Sequence, residues 1–159
     1  MQRFMFKHAV FIFILVTLTM FTGCSKDDDK PRRNTYKVTV VLSGVEDWDG
    51  STTHQGDYIS VVVSGSNYDN TAGTTLWRVN GQTMTGEIAV GVDRADFMEN
   101  NTIVIESINP LDVMSASIQF LNYNATLTYQ VKIEVNGKLD IDESGTLADG
   151  QDFTKHYSF

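Results

Sequence analysis

The 159-residue chain has one cysteine, two prolines and three histidines, and each scarcity closes off a class of protein. A lone cysteine, Cys24, cannot form an internal disulfide, which excludes a disulfide-stapled scaffold. His8, His54 and His156 are too few and too scattered to make a local His/Cys metal set, and His54 and His156 are expected on the surface. No GxSxG, HExxH or glycine-rich phosphate loop occurs, so no catalytic residue is assigned and no enzyme is expected. Cations are scarce as well: 12 Lys and Arg stand against 20 Asp and Glu. Without Arg3 and Lys7, which belong to the leader described next, the formal charge deepens from −8 to −10. Such a surface repels nucleic acid and anionic headgroups, so neither is an expected partner. Cations, metal ions and neutral sugars remain compatible with it.

The chain has a single long apolar run, Ala9 to Phe21, preceded by Arg3, Lys7 and His8. It is shorter than the about 20 residues a membrane helix needs and has the form of a signal-peptide core. Directly behind it, Phe21-Thr22-Gly23-Cys24 resembles the lipobox of bacterial lipoproteins, with Phe where Leu is commoner. The resemblance implies cleavage before Cys24 and acylation of its thiol and new amino group, palmitate-type chains then holding the protein to a membrane. Each buried CH₂ adds about 0.8 kcal/mol to such an anchor. The next residues, Ser25-Lys26-Asp27-Asp28-Asp29, are similar to the surface-export signal of Bacteroidota-type lipoproteins. That likeness implies an outer-membrane protein facing the cell exterior; a solvated acidic tether is the other reading of the same charge run. The resemblance covers the N-terminal region only. The expected organisation is a signal peptide at 1–23, acylated cysteine, export signal and tether at 24–35, and one domain at 36–159.

Within that domain the dominant period is two. Tyr36, Val38, Val40 and Leu42 alternate with Lys37, Thr39 and Ser43, as a half-buried strand requires. Tyr58–Val63 is apolar on both faces and fits a central strand. Trp77 and Val79 lead into Asn80-Gly81, a strong hairpin signal. A two-residue turn there pairs Val79 with Gln82 and sets Met84, Ile88, Val90 and Val92 on the face of Trp77, in the core. Asp93 can cap one helical turn reaching Asn100. Strands follow at Ile103–Ile108, across Met114–Phe120, and across Leu127–Ile133. At the second Asn-Gly, Asn136-Gly137, a two-residue turn would bury Lys138, Asp140 and Asp142. A three-residue loop, Val135–Gly137, pairs Glu134 with Lys138 instead and sends Leu139 and Ile141 inward. Phe153–Phe159 closes the chain. About eight strands and almost no helix predict an all-β fold, a single antiparallel β-sandwich of immunoglobulin-like or C2-like Greek-key type, with a closed barrel as the alternative.

Two acidic loops are the candidate sites. In Asp140-Ile141-Asp142-Glu143-Ser144-Gly145-Thr146-Leu147, oxygen side chains at alternate positions precede a glycine, a pattern that resembles the front half of an EF-hand calcium loop. Asp140, Asp142 and Ser144 would supply side-chain oxygens, Thr146 a carbonyl, and Asp152 the carboxylate missing at Gln151. Calcium is therefore a possible cofactor, and an acidic turn facing water the alternative. In Glu46-Asp47-Trp48-Asp49-Gly50, Trp48 can stack on a sugar face while Asp47 and Asp49 accept hydroxyl protons. Trp48 can also fold back as a plug over the end of the sandwich. Tyr68 and Tyr123 lie in Asn-rich surroundings suited to surface contacts. The functional expectation is a lipid-anchored binding module for a glycan or protein partner, with an accessory role in an outer-membrane complex as the alternative and an enzyme of unknown class third.

Overall fold

In the computed structural model, residues 32–50, 56–69, 73–123 and 125–159 are described. The leader, Cys24, most of the tether and His54 lie outside them. Arg33–Phe159 is one compact unit. It is an antiparallel β-sandwich of ten strands: β1 Tyr36–Ser43, β2 Tyr58–Ser66, β3 Trp77–Val79, β4 Gln82–Met84, β5 Ala89–Asp93, β6 Thr102–Ser107, β7 Val113–Leu121, β8 Leu127–Val135, β9 Lys138–Leu147 and β10 Asp152–Ser158, with one short helix, α1, at Arg94–Glu99. Six strands form one sheet in the order β4-β3-β6-β1-β8-β9, and four form the other, β10-β7-β2-β5. The sheets are open, with distinct edges, which rules out the closed barrel.

Alternation builds the core. β1 buries Tyr36, Val38, Val40 and Leu42, β7 buries Met114, Ala116, Ile118 and Phe120, and Trp77 of β3 is fully enclosed. Its indole Nε1 donates to the Ile88 carbonyl at 3.0 Å, the polar partner a buried Trp requires. β2 is internal to its sheet, flanked by β7 and β5. It buries Ile59, Val61 and Val63 but leaves Val62 42% exposed, so its outer face is bare rather than covered.

Only two connections, β3–β4 and β8–β9, stay within a sheet, and these are the two Asn-Gly turns. Both have positive φ at Asn and Gly (48° and 82°; 53° and 73°), the form that matches strand twist. Each Asn is also stitched to the next strand over. Asn80 N–H donates to Val104 O while its Oδ1 accepts Val104 N–H at 2.8 Å. Asn136 does the same with Thr35, Oδ1 accepting at 2.9 Å.

Three expectations change. After Met84 the chain leaves the six-stranded sheet, and Ala89–Asp93 pairs with β2 in the other one. Val90 and Val92 are buried, but Ile88 lies in the passage between sheets and is exposed. At Asn136-Gly137 the loop is two residues long: Val135 pairs with Lys138 and Glu134 with Leu139. Ile133 then pairs with Ile141, leaving Asp140 as the extra residue of a β-bulge. The parity is corrected in the strand, one pair beyond the turn, so Ile141 packs on the core while Leu139 is 47% exposed. Thirdly, the domain begins before Tyr36. Asn34 bridges Leu111, and Arg33 lies between Asp69 and Asp112. Asp69 first, then Asp112, hold the guanidinium proton more tightly than usual.

Candidate functional site

Strand direction fixes which loops meet. β1 carries the chain roughly 25 Å from Arg33–Thr35 to the β1–β2 loop. The end of the sandwich away from Arg33 is therefore formed by that loop, α1 and the connections β7–β8 and β9–β10. Asp57, immediately before β2, ties three of these together although it is only 1% exposed. Its Oδ2 accepts Glu46 N–H and its Oδ1 accepts Tyr123 N–H, both at 2.9 Å. Its own N–H donates to Glu46 O at 3.0 Å, and its carbonyl accepts Arg94 Nη1 at 3.1 Å. Hydrogen bonds from backbone donors satisfy the buried carboxylate, while Arg94 bonds to the carbonyl of the same residue.

Arg94 is placed by α1. Asp93 caps that helix, accepting Ala95 N–H at 2.8 Å, and Asp96 returns the contact by accepting Asp93 N–H at 2.9 Å. This is a capping box, as the Asp93 cap expected from the sequence requires. From there Arg94 Nη2 meets Asp47 Oδ1 at 2.7 Å, and the same Oδ1 accepts Trp48 N–H at 2.8 Å. Backbone crowds closely here. A Cβ on Gly56 would fall 2.4 Å from Arg94 Nη1 and 2.5 Å from Trp48 N, so only glycine lets the two sides of the loop close on the guanidinium.

The result is a groove of about 520 Å³ lined by Asp47, Asp57, Tyr58, Asp93, Arg94 and Met98, among others. Trp48 is 59% exposed and Tyr58 51%. Trp48 therefore does not fold back as a plug. The groove thus sets the Tyr58 ring among carboxylate acceptors held in place by a buried hydrogen-bond frame, and Trp48 stands exposed on the loop that supplies Asp47. Tyr58, Arg94 and Met98 were not singled out from the sequence. Tyr58 alternates correctly for the outer face of β2, a signal that could have marked it, but nothing local announces that α1 delivers Arg94. Tyr68 is exposed at the opposite end, its N–H donating to Asp112, and Tyr123 joins the frame through its backbone only.

The second acidic stretch has a different form. Asp140–Leu147 lies within β9, paired with β8 along its length, and is not a loop. Asp142 and Thr146 lie about 13 Å apart along a strand, whereas two oxygens on one calcium ion are within about 5 Å. Asp142 Oδ1 accepts Gln130 Nε2 at 2.9 Å. Asp140 is the bulge residue, Ser144 pairs with Gln130 across the strands, and Asp152 opens β10 in the other sheet, accepting Thr154 Oγ1 at 3.1 Å. These residues are not gathered around a point. Among the described residues no group of three or more His, Cys, Asp or Glu is placed to hold a metal ion.

Fold and groove define an antiparallel β-sandwich with an aromatic and acidic recess at one end. Three solved structures share that fold at low identity. A DUF4425 family protein from Bacteroides ovatus aligns with TM-score 0.53 at 13% identity, covering 80% of this chain and 95% of that one. A DUF4425 domain from Bacteroides vulgatus gives 0.54 at 12%, covering 80% and 94%. A protein from Parabacteroides distasonis, solved in its calcium-bound form, gives 0.53 at 18%, covering 82% and 98%. No protein-family model matches the chain, and no curated protein matches it at a significant level.

Proposed function

We propose that this protein is a non-catalytic glycan-binding module, lipid-anchored at Cys24 in the outer membrane and facing the cell exterior. The observation that carries the reading is the exposure of Trp48 and Tyr58 beside the carboxylates of a braced groove. Sugar rings stack their C–H faces on aromatic planes while their hydroxyls donate to fixed acceptors. Placement supports it too. The chain enters the sandwich at Arg33, at the end opposite the groove, so the point of entry leaves the groove unobstructed. A neutral glycan also suits a chain whose acidic surface disfavours anionic ligands.

Retention of the domain on a panel of neutral polysaccharides tests this. Trp48→Ala and Tyr58→Ala should each abolish retention without lowering the melting temperature. Retention unchanged in both variants would remove the groove from the case. Protease added to intact cells should degrade the protein; protection would place it on the periplasmic side. Calcium enters the proposal through the Parabacteroides distasonis structure alone. A melt with chelator and then with calcium should give the same response in wild type and Asp142→Ala. A calcium shift lost in that variant would restore β9 as a site.

A further inference from the structure

Four strands form the edges of the two sheets: β4, β9, β10 and β5. Open edges invite pairing with another chain, and proteins blunt them with charge, bulges or brevity. Three of these edges carry such devices. β4 is three residues long. β9 has the Asp140 bulge and exposed Lys138 and Asp142, and β10 presents Lys155 and His156. β5, Ala-Val-Gly-Val-Asp, has no charge before its last residue.

Its register shows which groups are offered. Gly65 N–H donates to Ile88 O at 3.1 Å, so Gly65 and Ile88 form a hydrogen-bonded pair. Alternation makes Val63–Val90 and Val61–Val92 hydrogen-bonded pairs too, and turns the backbone of Ala89, Gly91 and Asp93 away from β2. The outward Asp93 N–H is taken by Asp96, as that alternation demands. Among the described residues no strand pairs with the outward groups of Ala89 and Gly91. Above Gly91 the space is open: a Cβ there would meet only Val62 Cγ2, at 3.9 Å.

Beside this edge lies a crevice of about 330 Å³ between β4 and α1, with Val79, Met84, Val92 and Ile103 as apolar lining and Asp96 and Glu99 as its acidic wall. Asp96 is occupied by the cap, whereas Glu99 makes no ion pair among the described residues. An apolar slot with a carboxylate at its mouth fits the stem and head of Lys or Arg.

We propose that β5 is a docking edge for an extended basic peptide segment of a partner protein, which adds as a fifth strand and places a Lys or Arg in the crevice beside Glu99. Main-chain bonds at Ala89 and Gly91 supply the affinity and the crevice the choice of side chain. Charge decides the occupant. A second copy would bring another acidic α1 and a domain of the same sign to this flank, whereas a basic strand neutralises it.

The test is amide hydrogen exchange on residues 33–159 with a pool of short peptides alternating Lys or Arg with Val, Ile or Thr, at up to millimolar concentration. Exchange at Ala89 and Gly91 should slow about tenfold or more, and Glu99→Gln should weaken the effect for the same peptides. Gly91→Pro should abolish it, since proline is tolerated at an edge position whose N–H faces solvent. N-methylation of alternate peptide amides should abolish it without touching the protein. No protection by any peptide in the pool, equal protection by Asp/Glu counterparts, or protection of the protein alone that grows with its own concentration would each overturn the proposal. Trp48→Ala should leave this protection intact, which separates it from glycan binding.

Discussion

The two ends of the sandwich each hold a buried aspartate, and they use it differently. At the end where the chain enters, Asp112 accepts Arg33 Nε at 3.2 Å and Tyr68 N–H at 2.8 Å. Asn34, Thr35 and Asn136 bond to one another, and Phe159 pairs with Met114 in both directions. Polar groups there are consumed in fastening the two termini. At the far end Asp57 fastens loops instead, and Trp48 on one of them and Tyr58 at the start of β2 face water. Similar carboxylates thus do opposite jobs: one locks a terminus, the other sets a surface in place. The end where the chain enters is satisfied internally, and the far end is braced from beneath and left bare above.

The largest expected effect tests the brace. Asp57→Ala orphans two part-buried N–H groups, those of Glu46 and Tyr123, each worth about 1–3 kcal/mol, so denaturant unfolding should show a loss of about 2–4 kcal/mol together with lost glycan retention. A loss under about 0.5 kcal/mol would mean water replaces the carboxylate and the frame is dispensable. Trp48→Ala separates surface from brace: stability should stay within about 0.5 kcal/mol while retention disappears. At the other end Arg33→Gln should speed exchange at the Asn34 and Leu111 amides, whose paired bonds are 2.9 Å, and leave glycan retention unchanged. Retention that fell in Arg33→Gln would show that the ends are coupled.

The smallest effect concerns neither end but the flank between β9 and β10. Burial, then the Glu143 carboxylate, pushes the Tyr157 phenol up from its ordinary value. A raised folded value favours the protonated phenol, so its contribution is complete below the unfolded value of about 10 and is lost as pH rises above it. Stability should therefore decline above about pH 10, and Tyr157→Phe should remove part of that decline while both ends behave as before.

How much of this was legible beforehand differs by element. Trp77 and Val79 before Asn80-Gly81 were read correctly because turn chemistry and alternation are local properties. Asp93 was legible for the same reason, since a cap needs only its own helix. Asp57 and Arg94 were not legible as a frame, because they meet through contacts between residues 37 positions apart in the chain. The acidic run from Asp140 to Thr146 has the composition of a metal loop, but pairing with β8 pulls it straight.

The two Asn-Gly turns mark the boundary most clearly. Sequence by itself determined that both Asn-Gly pairs reverse the chain, and that the first does so in two residues, since αL backbone at Asn and Gly is intrinsic to that dipeptide; for the second it pointed to three residues, where the structure has two. It also determined the strand periodicity and the buried identities along β1, β7 and β8. Tertiary structure decided where the second hairpin repairs its parity. A turn one residue longer or a bulge one pair later is equally compatible with the chain, and the choice falls to whichever places Ile141 and Leu147 against the core with Leu139 in water. It also decided that Ala89–Asp93 crosses to the second sheet. Strand propensity says that a segment will pair, but the partner is set by the competition of all ten strands for one interior.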